Sequence, residues 1–256
     1  MLKRLKSRIK NLGRALVYEG VERYFQLNPL QQVTKPTTTG LELHKLAPMD
    51  LGYYTWNRGP AISNEQLKNC KVVSTRWDAL IHMPKNAICA EIGVAYGEYS
   101  EKILEIMEPH ELHLIDLYSW GDFFGKDYFA KSGLNHEQFI TKKFANNKNV
   151  KIVKGSSYEV LETYPDNYFD YVYLDAAHDY DNVVKDINVL HNKIKDGGIL
   201  VFNDYTWFSP CENYEYGVFR AVNEFLAGTQ HEVVMYCFEW GNGKMDDLIV
   251  KINKAQ

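Results

Sequence analysis

Seven short apolar runs, spaced by stretches of helical period, constrain the fold of this chain more than any other feature. They are 87-AICAEIG-93, 111-ELHLIDL-117, 150-VKIVKG-155, 169-FDYVYLD-175, 199-ILVFND-204, 232-EVVMYCF-238 and 246-DDLIVKI-252. Runs of this length, rich in β-branched residues, are too short for buried helices and fit strands covered on both faces. Helices are predicted over 66–82, 97–108, about 136–146, 179–194 and 217–226, with a short one after the third run. Strand and helix in alternation give an α/β fold: a Rossmann-like, doubly wound, seven-stranded mixed sheet with helices on both faces. Only the last strand breaks the parallel pattern, because the GNGK connector between the sixth and seventh runs suits a hairpin.

In open sheets of this kind the ligand lies beyond the carboxyl ends of the strands, and the first strand-to-helix turn is its cradle. Here that turn reads 90-AEIGVAYGEYS-100. Gly93 and Gly97 permit positive φ and close backbone approach. Their E-x-G-x-x-x-G spacing is not the G-x-G-x-x-G of a dinucleotide site, so the turn fits a ligand without a diphosphate. About two dozen residues later the second strand ends in Asp116, where a carboxylate can accept both hydroxyl protons of a ribose. After the third strand, 155-GSS-157 is placed to meet the edge of an adenine. Together these features describe an adenosine ligand.

The ordered series AEIGVAYGEYS, LHLID, KGSSYEVL, FDYVYLDAAHDY and KDGGILVFNDY resembles the motif series of class I S-adenosylmethionine-dependent methyltransferases. The likeness spans roughly residues 66 to 252. It implies S-adenosylmethionine as cofactor, held by Glu91, Gly93, Tyr96, Gly97, Ser100, Asp116, Ser156, Ser157 and Asp175. Glu91 and the two glycines would line its methionine side, Asp116 its ribose and the serines its adenine.

A second constellation stands at the ends of the fourth and fifth strands: Asp175 and His178 in DAAHDYD, then Asn203 and Asp204. Two carboxylates and an amide oxygen are hard ligands of the kind Mg²⁺ prefers, so Asp175, Asn203 and Asp204 form a candidate metal set. A metal-bound hydroxyl loses its proton more easily, and His178 is placed to remove it, making His178, Asp175 and Asp204 the candidate catalytic group. Each residue also has an ordinary reading on its own, as a helix cap, a turn former or a local hydrogen-bond partner. The group resembles, more narrowly, the metal-dependent macrocin-type O-methyltransferases that act on sugar hydroxyls, and more distantly the catechol O-methyltransferases. Asp175, His178 and Asp204 match the sugar-enzyme pattern, whereas Asn203 stands where those enzymes carry a second carboxylate.

Candidate acceptor contacts are Tyr53, Trp56 and Arg58, with 118-YSWGDFFGKDYF-129 and 205-YTWFSPCENYEY-216, Tyr205 included. Aromatic faces stack on sugar rings or bases and Arg58 can pair with a phosphate. A sugar hydroxyl, on a nucleotide-activated sugar for polysaccharide or glycoconjugate synthesis, is the favoured acceptor. A phenolic or other small-molecule acceptor is the alternative, and a non-catalytic S-adenosylmethionine-binding module is a further one.

Composition narrows the partners. A formal net charge of −4 gives no basic field and argues against nucleic acid. The four cysteines, Cys70, Cys89, Cys211 and Cys237, form no C-x-x-C pair, consistent with a reducing cytoplasm. No apolar run reaches the roughly 20 residues of a membrane span, so no integral membrane association is expected. Residues 1–64 are read as an N-terminal extension, a basic amphipathic helix followed by a lid or oligomerisation segment, with residues 65–256 as the methyltransferase-like domain. The extension opens on a basic amphipathic helix, MLKRLKSRIKNLGRALVYEG, which packs on the domain or a sister subunit, or docks on an anionic surface. A homodimer or larger homo-oligomer follows from the first of these.

Overall fold

The computed structural model describes residues 59–119, 129, 132–209, 214–239 and 245–254, all within the compact unit Tyr53–Gln256. The basic helix and the other features expected before residue 59 lie outside the described residues.

Eight strands form the main sheet: β1 (Lys71–Val73), β2 (Ile88–Ile92), β3 (Glu111–Asp116), β4 (Val150–Lys154), β5 (Phe169–Leu174), β6 (Ile194–Phe202), β9 (Glu232–Cys237) and β10 (Asp247–Lys251). A separate two-stranded ribbon pairs β7 (Phe208–Ser209) with β8 (Tyr214–Glu215). The described helices are α1 (Asn64–Leu67), α2 (Arg76–Leu80), α3 (Glu98–Met107), α4 (His136–Lys143), α5 (Ser157–Glu162), α6 (Tyr180–Lys193) and α7 (Val218–Leu226). The sheet order is β1-β9-β10-β6-β5-β2-β3-β4. All seven expected strands are present, and β10 is antiparallel to both of its neighbours, β6 and β9.

The eighth strand corrects the helix expected over 66–82. Ser63 caps α1 reciprocally with Gln66, the chain then extends through Val72 and Val73 to pair parallel with β9, and Thr75 accepts from Asp78 N to start α2. Two caps, each stabilising by about 1 kcal/mol, outweigh the apolar period that runs through both pieces. β1 is a largely exposed edge strand, so it lacks the apolar run that reveals its partners.

Alternate residues of each strand enter opposite cores. Val172, Leu174, Leu200, Phe202, Leu248 and Val250 pack with α5, α6 and α7. Tyr171, Tyr173, Val201 and Ile249 face the other way, towards α2, α3 and α4. Full burial of such a side chain stabilises by ~1.5–3 kcal/mol, and both layers together fix the register of the central strands.

Chain order reverses between β5 and β2. From β2 the chain winds outwards through β3 and β4, and from β5 in the opposite sense through β6. Their carboxyl ends therefore open a crevice at the switch point.

Away from the crevice, His231 is 3% exposed, beside His191 at 5.3 Å and Phe225 at 4.9 Å. Its Nδ1 accepts from Asn253 N at 3.2 Å. Burial, reinforced by His191, pulls its pKa down to about 4. The unfolded chain takes up this proton near pH 6.5, before the folded chain does, so stability falls as pH drops from about 6.5 to 4. The loss should reach about 2–3 kcal/mol. His231→Asn keeps an acceptor for Asn253 N and should flatten this limb. Thermal melts of both proteins at pH 7 and pH 4.5 check it, and equally steep limbs would rule the mechanism out.

Candidate active site

Gly93 joins β2 to the turn with φ +87°, and its N–H donates to Ile115 O at 2.9 Å. A Cβ here would lie 1.7 Å from the Asp175 carbonyl oxygen, so the end of β5 presses directly against the turn. Gly97 has φ +68° and precedes α3, and a Cβ on it would meet Phe144 at 2.8 Å. Between them, α4 fixes the turn through its carbonyls. His136 Nε2 lies 2.6 Å from Ala95 O, and Lys143 Nζ donates to Tyr96 O at 2.8 Å. Ala95 itself has positive φ, +42°, so these bonds hold a conformation that alanine resists. The Tyr96 ring packs against Phe129 and Phe139.

Asp116 accepts from Val94 N at 2.7 Å through Oδ2 and from Tyr118 N at 2.6 Å through Oδ1. It therefore braces the glycine turn as well as standing at the expected ribose position, its second lone pairs remaining for hydroxyl donors. Glu91 is 2% exposed and takes a short hydrogen bond from Ser100 Oγ, which ties β2 to α3. Burial raises the Glu91 carboxyl well above its ordinary range. Ser156 is the N-cap residue of α5, two residues past the end of β4 and beside the end of β3. Ser157 lies against Asp186 of α6, whose carboxyl burial pushes up to about 6, the Ser157 hydroxyl partly offsetting the rise.

Asp175 follows β5 directly, its N–H donating to Ile92 O at 2.7 Å. His178 Nε2 stands 3.5 Å from Asp175 Oδ1, and the imidazole stacks on Tyr216 at 4.4 Å and 7°. Gly217 N donates to His178 O at 2.7 Å. The imidazole is thus oriented by a carboxylate at its edge and an aromatic ring on its face.

At the end of β6, Asn203 and Asp204 meet a network that local sequence did not announce. Arg76, first residue of α2, donates through Nε to Glu239 at 3.0 Å, through Nη1 to Tyr173 Oη at 2.9 Å, and through Nη2 to Asp247 Oδ1 at 3.1 Å. The same Nη2 lies 3.9 Å from Asp204 Oδ1. Asn203, 3% exposed, donates through Nδ2 to Tyr173 Oη and to Asp247 Oδ1. Burial pushes the Asp247 carboxyl up to about 7, with Arg76 opposing the rise and Asp204 and Asp175 adding to it.

These placements bear on the expected metal set. Asp204 already faces a guanidinium, and Asn203 engages the same network through its amide nitrogen. Among the described residues no three His, Cys, Asp or Glu side chains gather closely enough to hold a metal ion. A divalent ion added beside Asp204 would be repelled by Arg76 by on the order of 5 kcal/mol at an effective dielectric of ~20. The described residues at the ends of β5 and β6 therefore do not fit a divalent cation.

The acceptor expectations fare unevenly. Tyr53, Trp56 and Arg58 lie outside the described residues, as does most of 118–129. Tyr205 is turned into the core: it is 7% exposed, its hydroxyl donates to Asn223 Oδ1 in a short bond, and its ring packs on Phe219. A residue with its polar tip so engaged is not open to a substrate. In the segment that follows, Trp207 and Tyr214 are 42% and 51% exposed, close in sequence to Tyr216.

Residues 90–205 match the methyltransferase domain family Methyltransf_24. An uncharacterised protein, R132, of Acanthamoeba polyphaga mimivirus is 33% identical over 98 residues, covering 35% of this chain and 41% of that protein. The chain thus spans about two fifths of that relative's length. Among solved structures, a putative rRNA-methylase from Clostridium thermocellum superposes with a TM-score of 0.51 at 12% identity, covering 70% of this chain and 94% of that one. A putative methyltransferase from Streptococcus mutans, crystallised with SAH, gives 0.46 at 11% identity, covering 68% and 94%. Among the described residues, no helix is long and apolar enough to cross a membrane.

Proposed function

We propose, on the premise that residues 90–205 form a class I S-adenosylmethionine-dependent methyltransferase domain, that this chain methylates the hydroxyl of a small-molecule acceptor. The observation that carries the reading is the Asp175–His178 pair, which stands at the switch point beside the glycine turn. Bound S-adenosylmethionine supplies an electrophilic methyl on a sulfonium. The braced turn and Asp116 receive its methionine and ribose portions, with Ser156 near the adenine. Asp175, against Nε2, orients His178 so that Nδ1 takes the acceptor's hydroxyl proton. With the cofactor bound, that oxygen would attack the methyl carbon in line, S-adenosylhomocysteine leaving as the C–S bond breaks and the O–C bond forms. Divalent-metal assistance, expected from the narrower resemblance, has no fitting donor set among the described residues.

For the acceptor we favour a sugar hydroxyl, carried on a nucleotide-activated sugar. The exposed Trp207 and Tyr214 support this, since aromatic faces stack on sugar rings. A homodimer in the cytoplasm, with small-molecule and not nucleic-acid acceptors, completes the proposal. The test is incubation of the protein and S-adenosylmethionine with nucleotide sugars, free sugars and phenols, followed by mass spectrometry. A gain of one methyl on a sugar hydroxyl is expected. Methylation of phenols alone would move the assignment to that class, and no product with any hydroxyl acceptor would leave a binding module.

A further inference from the structure

We infer that the Arg76 guanidinium is the fixed cation of this site, standing in place of a divalent ion and holding Asp204 and Asp247 as hydrogen-bonding groups beside the acceptor. The inference deepens the O-methyltransferase reading and rests on it for its catalytic meaning.

The geometry is that of carboxylates closed around a cation that belongs to the chain. Three carboxylates, Asp204, Asp247 and Glu239, surround one guanidinium at 3.9, 3.1 and 3.0 Å. The Arg76 side chain is 11% exposed and that of Asp247 1%. Four acceptors on three segments take its hydrogen bonds: Glu239, Tyr173, Asp247 and the Met245 carbonyl. The backbone N–H of Arg76 also donates to Glu239, at 2.9 Å, so α2 is anchored at the site by its first residue. A planar fork held in this way cannot swing aside to admit a metal.

The location gives the cluster its role. Tyr173 is the last residue but one of β5, two before Asp175, and Asp204 lies just beyond β6. Arg76 therefore reaches from the α2 layer to the crevice where the methyl acceptor must lie. Asp204 has φ +49°, a left-handed conformation that its N–H contact with Asp247 Oδ1 at 3.4 Å helps maintain. More carboxylates than guanidiniums meet here, and the surplus negative charge complements the positive sulfonium of the methyl donor. Arg76 is accordingly a positioning residue: it sets the direction of Asp204 and supplies the positive charge around which the carboxylates assemble.

The test is a Mn²⁺ titration of the purified full chain followed by electron paramagnetic resonance, with S-adenosylhomocysteine present and no acceptor added. Wild-type protein should bind Mn²⁺ no more tightly than about 1 mM, and Asp204→Asn should not change the titration. A stoichiometric site tighter than about 10 μM that Asp204→Asn abolishes would overturn the inference. Arg76→Met leaves the carboxylates without their cation and should bind Mn²⁺ at least about tenfold more tightly than wild type. A folded Arg76→Met that binds no better than wild type would also overturn it, and should that variant not fold, the wild-type titration decides alone. Arg76→Lys, which retains the charge, should follow the wild type. Because the titration needs no turnover, a chain that lacks the metal site yet methylates nothing would refute the proposed function and leave this inference standing.

Discussion

Gly93→Ala should cost the protein more than about 4 kcal/mol of stability or prevent folding, and any folded fraction should bind S-adenosylmethionine at least about 100-fold more weakly. Two penalties act together. The first is steric: the new Cβ would lie 1.7 Å from the Asp175 carbonyl oxygen and 2.5 Å from its carbon, contacts that real structures do not contain. Those are backbone atoms, so no rotamer change relieves them. The second is conformational, since φ +87° is sparsely allowed for any residue with a Cβ. Relief would need β2 and β5 to separate where Asp175 N bonds Ile92 O, at the switch point itself. The position of Asp175 would move with them, and with it the orientation of His178. Thermal unfolding and calorimetric titration of S-adenosylmethionine measure the two effects, and a variant within about 1 kcal/mol of wild type would show that the turn does not sit against Asp175 in this way.

How far the site could be read in advance depended on the range over which its residues act. The seven apolar runs are local signals, and each became a strand because alternate residues enter separate cores on the two faces. β1 carries no such signal, being an exposed edge three residues long, and it was absorbed into a helix by the apolar period on either side. The placement of Asp175, His178 and Asp204 at neighbouring strand ends is legible because β5 and β6 run parallel in this topology. Arg76 was not: its partners Glu239 and Asp247 lie 163 and 171 residues away, and nothing near Arg76 in sequence marks it. His136 and Lys143 were missed for the same reason, since they act on the carbonyls of Ala95 and Tyr96 across more than forty residues. Tyr205 shows the converse error. Its place after the strand-end aspartate pointed to substrate, but the Asn223 partner that draws its hydroxyl inwards sits on α7 and is visible only once the chain is folded.

His178→Ala should lower kcat by about 100- to 10,000-fold while leaving the affinity for S-adenosylmethionine within about twofold of wild type. The asymmetry follows from where the residue is held. The backbone carbonyl of His178 accepts from Gly217 N at 2.7 Å, and an alanine keeps that bond, so the path of the chain between β5 and α6 survives. What disappears is the imidazole alone, with its contact to Asp175 Oδ1 at 3.5 Å and its face on Tyr216. The glycine turn is braced by Asp116, His136 and Lys143, all of which the substitution leaves in place, which is why cofactor binding should persist. A hydroxyl acceptor holds its proton far above neutral pH, so without a base it must lose that proton to water in the transition state, and general-base catalysis contributes about 10² to 10⁴ in rate. Asp175→Asn should cost less, because an amide can still contact the ring but cannot stabilise the imidazolium that forms. Turnover rates and calorimetric affinities for the two variants, measured on whichever acceptor is methylated, separate these roles. If His178→Ala retains more than about a tenth of wild-type kcat, the proton goes elsewhere, and Asp204, the other side chain at the strand ends with a carboxylate to offer, would be the group to substitute next.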